Sequence, residues 1–84
     1  MPVRVALNRA RSFARYVYNN NPDATDWAAG NCSRNSFTSV TCLAAIYWEY
    51  DDGSVYGCGS DVTSWYTRWG SYKFDIDDPQ CLWL

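Results

Sequence analysis

The sequence has no histidine, one lysine (Lys73) and one glutamate (Glu49). Without an imidazole there is no ordinary general base for a nucleophile, and no Lys-Ser or Cys-His pair stands in for one. A single glutamate, with aspartates gathered at turn-like sites, supplies no carboxylate pair of the kind glycoside hydrolysis needs. The chain is therefore read as non-enzymatic, with no cofactor. No long apolar run is present either. The longest, Cys42 to Trp48, is far short of the roughly 20 residues that cross a bilayer, so no membrane span is expected. The start carries no apolar signal-peptide core. A secreted chain would thus have lost its signal. Pro2 suits the first helical position and leaves Met1 as a poor cap, which points to further residues upstream.

Aromatics and cysteines are what this sequence has in excess. Its 84 residues suffice for one domain with a thin core. Five Trp, seven Tyr and three Phe are more ring volume than such a core can enclose, so some rings are expected to be partly exposed. The four cysteines, Cys32, Cys42, Cys58 and Cys81, are even in number, as in a disulfide framework built in an oxidising compartment. A zinc site would need close pairs, and none is spaced C-x-x-C, so no metal is assigned. Free buried thiols stay open as a reading.

The strongest periodicity is N-terminal. Val3, Ala6, Leu7, Ala10, Phe13, Ala14 and Val17 share one face of a helix over about residues 3–18. Asn19-Asn20-Asn21-Pro22 stops it, with Asn tolerating a left-handed cap. Strand patterns follow at about 25–32, 37–50, 55–67 and 71–76, with Ser33-Arg34-Asn35-Ser36 read as a turn and Asp51-Asp52-Gly53 as a hairpin. On the second strand the even face (Val40, Cys42, Ala44, Ile46, Trp48) is assigned to the helix, and small Ala44 lets the helix approach closely. Tyr72, Phe74 and Ile76 point inward on the fourth strand. Gly57 and Gly59, flanking Cys58, suggest a bulge or a close backbone contact. The apolar tail, 81–84, is held by Cys81. Together these give a single α+β domain over 1–84: one amphipathic helix packed on a four-stranded antiparallel sheet with two disulfides.

Cys32-Ser33-Arg34-Asn35-Ser36 and Val40-Thr41-Cys42 read as C-x-R-x-S and V-x-C, followed by an x-D-G-x hairpin, a third cysteine and a fourth near the C-terminus. From residue 3 to 81 this pattern resembles small secreted bacterial domains with a cystatin-like helix-on-sheet arrangement. The resemblance implies that fold, an extracytoplasmic location and no catalytic residues. It also implies local pairing, Cys32 with Cys42 and Cys58 with Cys81; cysteine count alone allows three connectivities. The Q-x-V-x-G type hairpin of cystatin inhibitors is absent.

Two charged features are weighed. Asp75-Ile76-Asp77-Asp78 offers closely spaced oxygens, but an EF-hand also needs a mid-loop glycine and a distal glutamate, so turn-forming roles are assigned. Arg4, Arg11 and Arg15 line one flank of the helix. They could meet an anionic surface such as nucleic acid or lipid, or be solvated with their stems over the core edge. The acidic net charge of −2 favours the second reading and disfavours nucleic acid. The 1–22 segment, with four Arg and no acid, also fits a presequence-like reading.

The aromatics are left as the functional candidates. Leu43, Ala45 and Tyr47 face away from the helix, and Trp65, Trp69 and Trp83 lie near turns or the tail. Leu43, Tyr47, Trp65 and Trp69 are taken as the binding residues, for a protein or a carbohydrate ligand. The leading expectation is a secreted binding domain. An inhibitor acting through an exposed turn (Asp51–Ser54 or Arg68–Ser71) is a second class. A structural or homo-oligomerising role is a third.

Overall fold

The computed structural model describes residues 1–84. Helix α1 (Val3–Asn19) is followed by β1 (Asp26–Ser36), β2 (Ser39–Glu49), β3 (Val55–Tyr66), β4 (Tyr72–Ile76) and β5 (Gln80–Trp83). The helix packs on one antiparallel sheet of order β1-β2-β3-β4, with β5 also paired to β3. The expected α+β layer pair is thus present, with a fifth strand made from the apolar tail.

The fifth strand is a continuation of the fourth. Ile76 lies opposite Val62 and Gln80 opposite Gly59, so Asp77, Asp78 and Pro79 span only Ser60 and Asp61. One edge strand is interrupted by a bulge, and proline, lacking an N–H, sits where no ladder bond is needed. Cys58 pairs with Cys81, and Cys32 with Cys42. The first of these fastens β5 to β3. No cysteine is free.

The helix ends differ in detail from expectation. Pro2 itself is the N-cap and makes no side-chain cap bond. At the other end Asn20 (φ −94°) is not left-handed. The asparagines act through their side chains instead: the Asn20 and Asn21 amides donate to the Tyr16 and Val17 carbonyls at 2.8 and 2.7 Å. These reinforce carbonyls of the last helical turn that also accept the Asn20 backbone N–H, at 3.2 and 3.1 Å.

The first turn is also displaced. Ser33–Ser36 is strand, and the reversal falls at Phe37-Thr38. Strand β1 continues because a register shift between Gly30 and Ser33, with Asn31 at φ 50°, absorbs the irregularity. Arg34 then fixes the turn, donating to the Phe37 carbonyl at 3.1 Å and to the Met1 carbonyl at 2.8 Å.

Only thirteen residues are buried, and no aromatic residue is among them. The core is a seam of small side chains: Ala6, Ala10 and Ala14 of α1 against Val40, Cys42, Ala44 and Val62. Alanine every fourth residue keeps one helical stripe free of bulk, so the helix lies close to the sheet. Ser64 is also buried, and its hydroxyl has no partner.

The molecule is a rod, 50 × 21 × 20 Å, with a radius of gyration of 14.0 Å, against about 12 Å for a compact domain of this length. A 17-residue helix is about 25 Å long, whereas strands of 11 and 12 residues reach about 36–40 Å. The helix therefore leaves sheet uncovered. It packs on β1, β2 and β3. As a result Tyr72 and Phe74, though on the helix side as expected, remain exposed, and of that row only Ile76 is half-buried. Arg9 covers part of the gap, its guanidinium 4.3 Å from the Phe74 ring centre.

Candidate functional site

The four residues nominated from sequence fall in two places. Leu43 and Tyr47 sit together on the sheet face away from α1. Strand β2 pairs there with Gly57 and Gly59 of β3 and with Ala28 and Gly30 of β1. A methyl at Gly57 would lie 3.1 Å from the Tyr47 ring, and one at Gly59 3.2 Å from a Leu43 methyl. The two glycines are thus explained by close contact, and the β2–β3 register runs unbroken through them. Both large side chains lie across bare backbone. Beside them is a hollow of about 380 Å³ whose lining includes Asp61, Asp77, Asp78 and Leu82.

Trp65 and Trp69 belong to one end of the rod. Trp65 is on the same face as Tyr47 but opposite Ser39, at the far end of β2. Trp69 crowns the β3–β4 turn at 79 % exposure, with the Arg68 guanidinium 4.9 Å from its ring centre. Leu43 and Tyr47 are brought together, then, and the two tryptophans lie apart from them.

The largest association of rings lies elsewhere, on the helix side. Trp48, Tyr56 and Trp83 are direct cross-strand partners on β2, β3 and β5. Their ring centres are 5.8 and 5.0 Å apart, and Tyr50 extends the chain to Trp83 at 5.6 Å. Cross-strand aromatic pairs each add a few tenths to about 1 kcal/mol to the sheet. They nevertheless leave Trp83 62 % exposed. Next to Trp48 opens a groove of about 280 Å³, ten of whose fourteen lining residues are hydrophobic. Its walls are Phe13, Ala14 and Val17 of the helix on one side and Ile76, Pro79 and Cys81 on the other. It lies in the sector that the helix fails to cover. A signal for it was present in the sequence: the expected helix is shorter than the expected strands, so Trp48 and Tyr50 must run past its last turn.

Asp52 is the one titratable group with a resolved shift, held below its ordinary value by the Ser54 hydroxyl and backbone N–H. No three acidic, cysteine or histidine side chains group closely enough to hold a metal ion. Asp75, considered above for calcium, accepts the backbone N–H of Ile76 at 3.1 Å. No helix is long and apolar enough to cross a membrane. No protein family, curated protein or solved structure matches the chain.

Proposed function

We propose that this chain is a secreted, non-enzymatic binding domain, and that the helix-side groove with its four-ring margin is the seat for an apolar segment of a protein partner. The observation that carries the reading is the continuity of groove and rings: a largely hydrophobic trough runs directly into a half-exposed aromatic row. Such rings are the side chains most often found as binding anchors. A peptide segment is favoured over a sugar because the rings are tilted 43–63° to one another. A flat platform, on which a sugar ring stacks, is not formed. The two disulfides support an oxidising, extracytoplasmic setting, as does the motif resemblance to small secreted bacterial domains.

The test is selection of binders from a random peptide library, followed by amide shift mapping. Selected peptides should perturb Val17, Trp48, Tyr56 and Trp83, and Trp48→Ala with Trp83→Ala should weaken them by tenfold or more, about 1.4 kcal/mol. Perturbations confined to the Leu43–Tyr47 face, or peptides indifferent to both substitutions, would sink the reading. A glycan array run beside it would overturn the preference for protein if only sugars bound.

A further inference from the structure

The end of the rod opposite the ring row has a composition of its own. Two hairpin tips stand side by side there, Phe37-Thr38 between β1 and β2 and Thr67–Ser71 between β3 and β4, joined by the Tyr66 N–H donating to the Thr38 carbonyl at 2.9 Å. Each tip carries a ring with almost nothing packed on it: Phe37 is 89 % exposed and Trp69 79 %. The charged side chains of this end are Arg4, Arg34, Arg68 and Lys73, all basic. Inward along β4 the first acid is Asp75, opposite Thr63, two residues below Lys73. The acids Asp23, Asp26, Glu49, Asp51 and Asp52 lie toward the other end, where Asp26 pairs with Tyr47 and Glu49 with Val55.

We propose that this pole docks on a bilayer surface containing anionic lipid, with Phe37 and Trp69 entering the interface and the four basic side chains at headgroup level. Three features point to a bilayer over other anionic partners. The rings sit on convex tips, which suit a deformable plane, whereas single-stranded nucleic acid is held along a groove with stacking platforms. The basic residues flank the rings or stand behind them on α1, β1 and β4: Arg4 and Lys73 can lay their stems along the boundary with the charges in water, while the Arg34 guanidinium is fixed behind Phe37 and that of Arg68 lies over the Trp69 ring. Tryptophan is the side chain most at home in the membrane–water interface. Four of the seven basic side chains gather at this pole with no acid among them, Arg9, Arg11 and Arg15 following along α1, and five of the nine acids lie toward the other end of the 50 Å axis, which turns the basic pole toward a negative surface.

The test is sedimentation of the intact chain with vesicles in which about a third of the lipid is phosphatidylglycerol, against pure phosphatidylcholine vesicles. Binding should be at least tenfold tighter to the anionic vesicles and weaken steeply as salt rises. Neutralising Arg68 and Lys73 to Gln should each cost about fivefold. Phe37→Ser with Trp69→Ser should reduce binding tenfold or more while leaving the backbone circular dichroism unchanged, since neither ring is buried. Trp83→Ala, at the far end, should sediment like the parent. The parent's tryptophan emission should shift to the blue on vesicle addition and be quenched by brominated acyl chains, and Trp69→Ser should lose most of both effects although four other tryptophans remain. The proposal is overturned by no sedimentation at low salt, by binding that survives loss of both rings, or by loss of binding in Trp83→Ala. Salt-sensitive capture by dextran sulfate, unaffected by the ring substitutions and without vesicle binding, would overturn it in favour of a soluble polyanion.

Discussion

Strand β3 ends in the same five-residue turn twice. Tyr50-Asp51-Asp52-Gly53-Ser54 leads into it and Thr67-Arg68-Trp69-Gly70-Ser71 leads out. In both, the first residue donates its N–H to the carbonyl of the fifth, and the glycine donates to the carbonyl of the first, at 2.8–3.0 Å. Both glycines have positive φ, 86° and 80°, as three-residue hairpin loops require. The scaffold is shared, and the tips are opposite: two acids at one end, an arginine and an exposed tryptophan at the other. Backbone geometry therefore explains the glycine and leaves the tip residues free. The ends differ also in how they are held. The acidic end is clamped by Cys58–Cys81 and the ring row. Toward the basic end Cys32–Cys42 crosslinks the β1–β2 hairpin, and the tips beyond it rest on the turn-to-turn bond and Arg34.

If the small-residue seam is what both ends share, damage to it should not discriminate between them. Replacing Cys32 and Cys42 by serine removes a crosslink spanning 10 residues and leaves a hydroxyl where Cys42 is wholly buried. The expected loss is about 4–5 kcal/mol, roughly 3 from the loop and the rest from the buried polar group. Thermal unfolding should show both ends melting together. Survival of either end alone would break the picture of one shared core.

Removing Cys58 and Cys81, by contrast, should separate the ends. The crosslink spans 23 residues, and its loss is expected to cost about 3 kcal/mol. Beyond that cost the damage is local. Amide exchange at Leu84, bonded to the Val55 carbonyl, should quicken far more than at Tyr66, bonded to Thr38. Equal quickening would mean that the two ends are one cooperative unit.

How far the sequence foretold this arrangement depends on the range of the interactions concerned. The helix was legible because alanine and larger apolar residues recur on its own surface. The two glycine turns carry their signal within five residues. Ser33–Ser36 misled because polar residues that usually mark a turn here follow a bulge on an edge strand, where solvent, not the core, meets the side chains. The tail strand was missed because its partner is β3, more than twenty residues earlier. Leu43 and Tyr47 fell on the predicted face by simple alternation. The ring row was not foreseen, since Trp48, Tyr56 and Trp83 meet only through the register of three strands. Alternation also carries no information on how short the helix is against the sheet, which is what leaves that row uncovered.

Two smaller effects sharpen the comparison. Gly57→Ala should cost about 1 kcal/mol, since its methyl must push the Tyr47 ring aside. Gly30→Ala, with nothing within 4 Å, should be nearly neutral. Exchanging the tips (Asp51→Arg with Asp52→Trp, and Arg68→Asp with Trp69→Asp) should change stability by less than about 1 kcal/mol if the scaffold is truly common. Chemical denaturation checks both pairs. A large loss on exchange would show that tip side chains hold the turn after all.

The smallest expected effect distinguishes the two turns by acid. In the first, the Asp52 carboxylate accepts the N–H of Ser54 at 2.9 Å and its hydroxyl. In the second, the Ser71 N–H donates to the Thr67 hydroxyl at 3.2 Å, and the two hydroxyls are 3.0 Å apart. The task is similar, though the acceptor is the third residue of the first turn and the first residue of the second, and only one acceptor titrates. The Ser54 bonds lower the Asp52 pKa in the folded chain below its ordinary 3.8. The unfolded chain therefore takes up the proton first as pH falls. The stabilisation is whole above that ordinary value and is lost as pH drops through the depressed folded value. Asp52 is fully exposed, so the effect is small and screened by salt. Ser54→Ala should raise the Asp52 titration, followed by carboxyl NMR shifts, toward the ordinary value, the backbone N–H of residue 54 still holding it partly down, while Thr67→Val should leave the acid limb of the stability curve where it was. An unchanged Asp52 titration in Ser54→Ala would show that the acidic tip is not held by this pair.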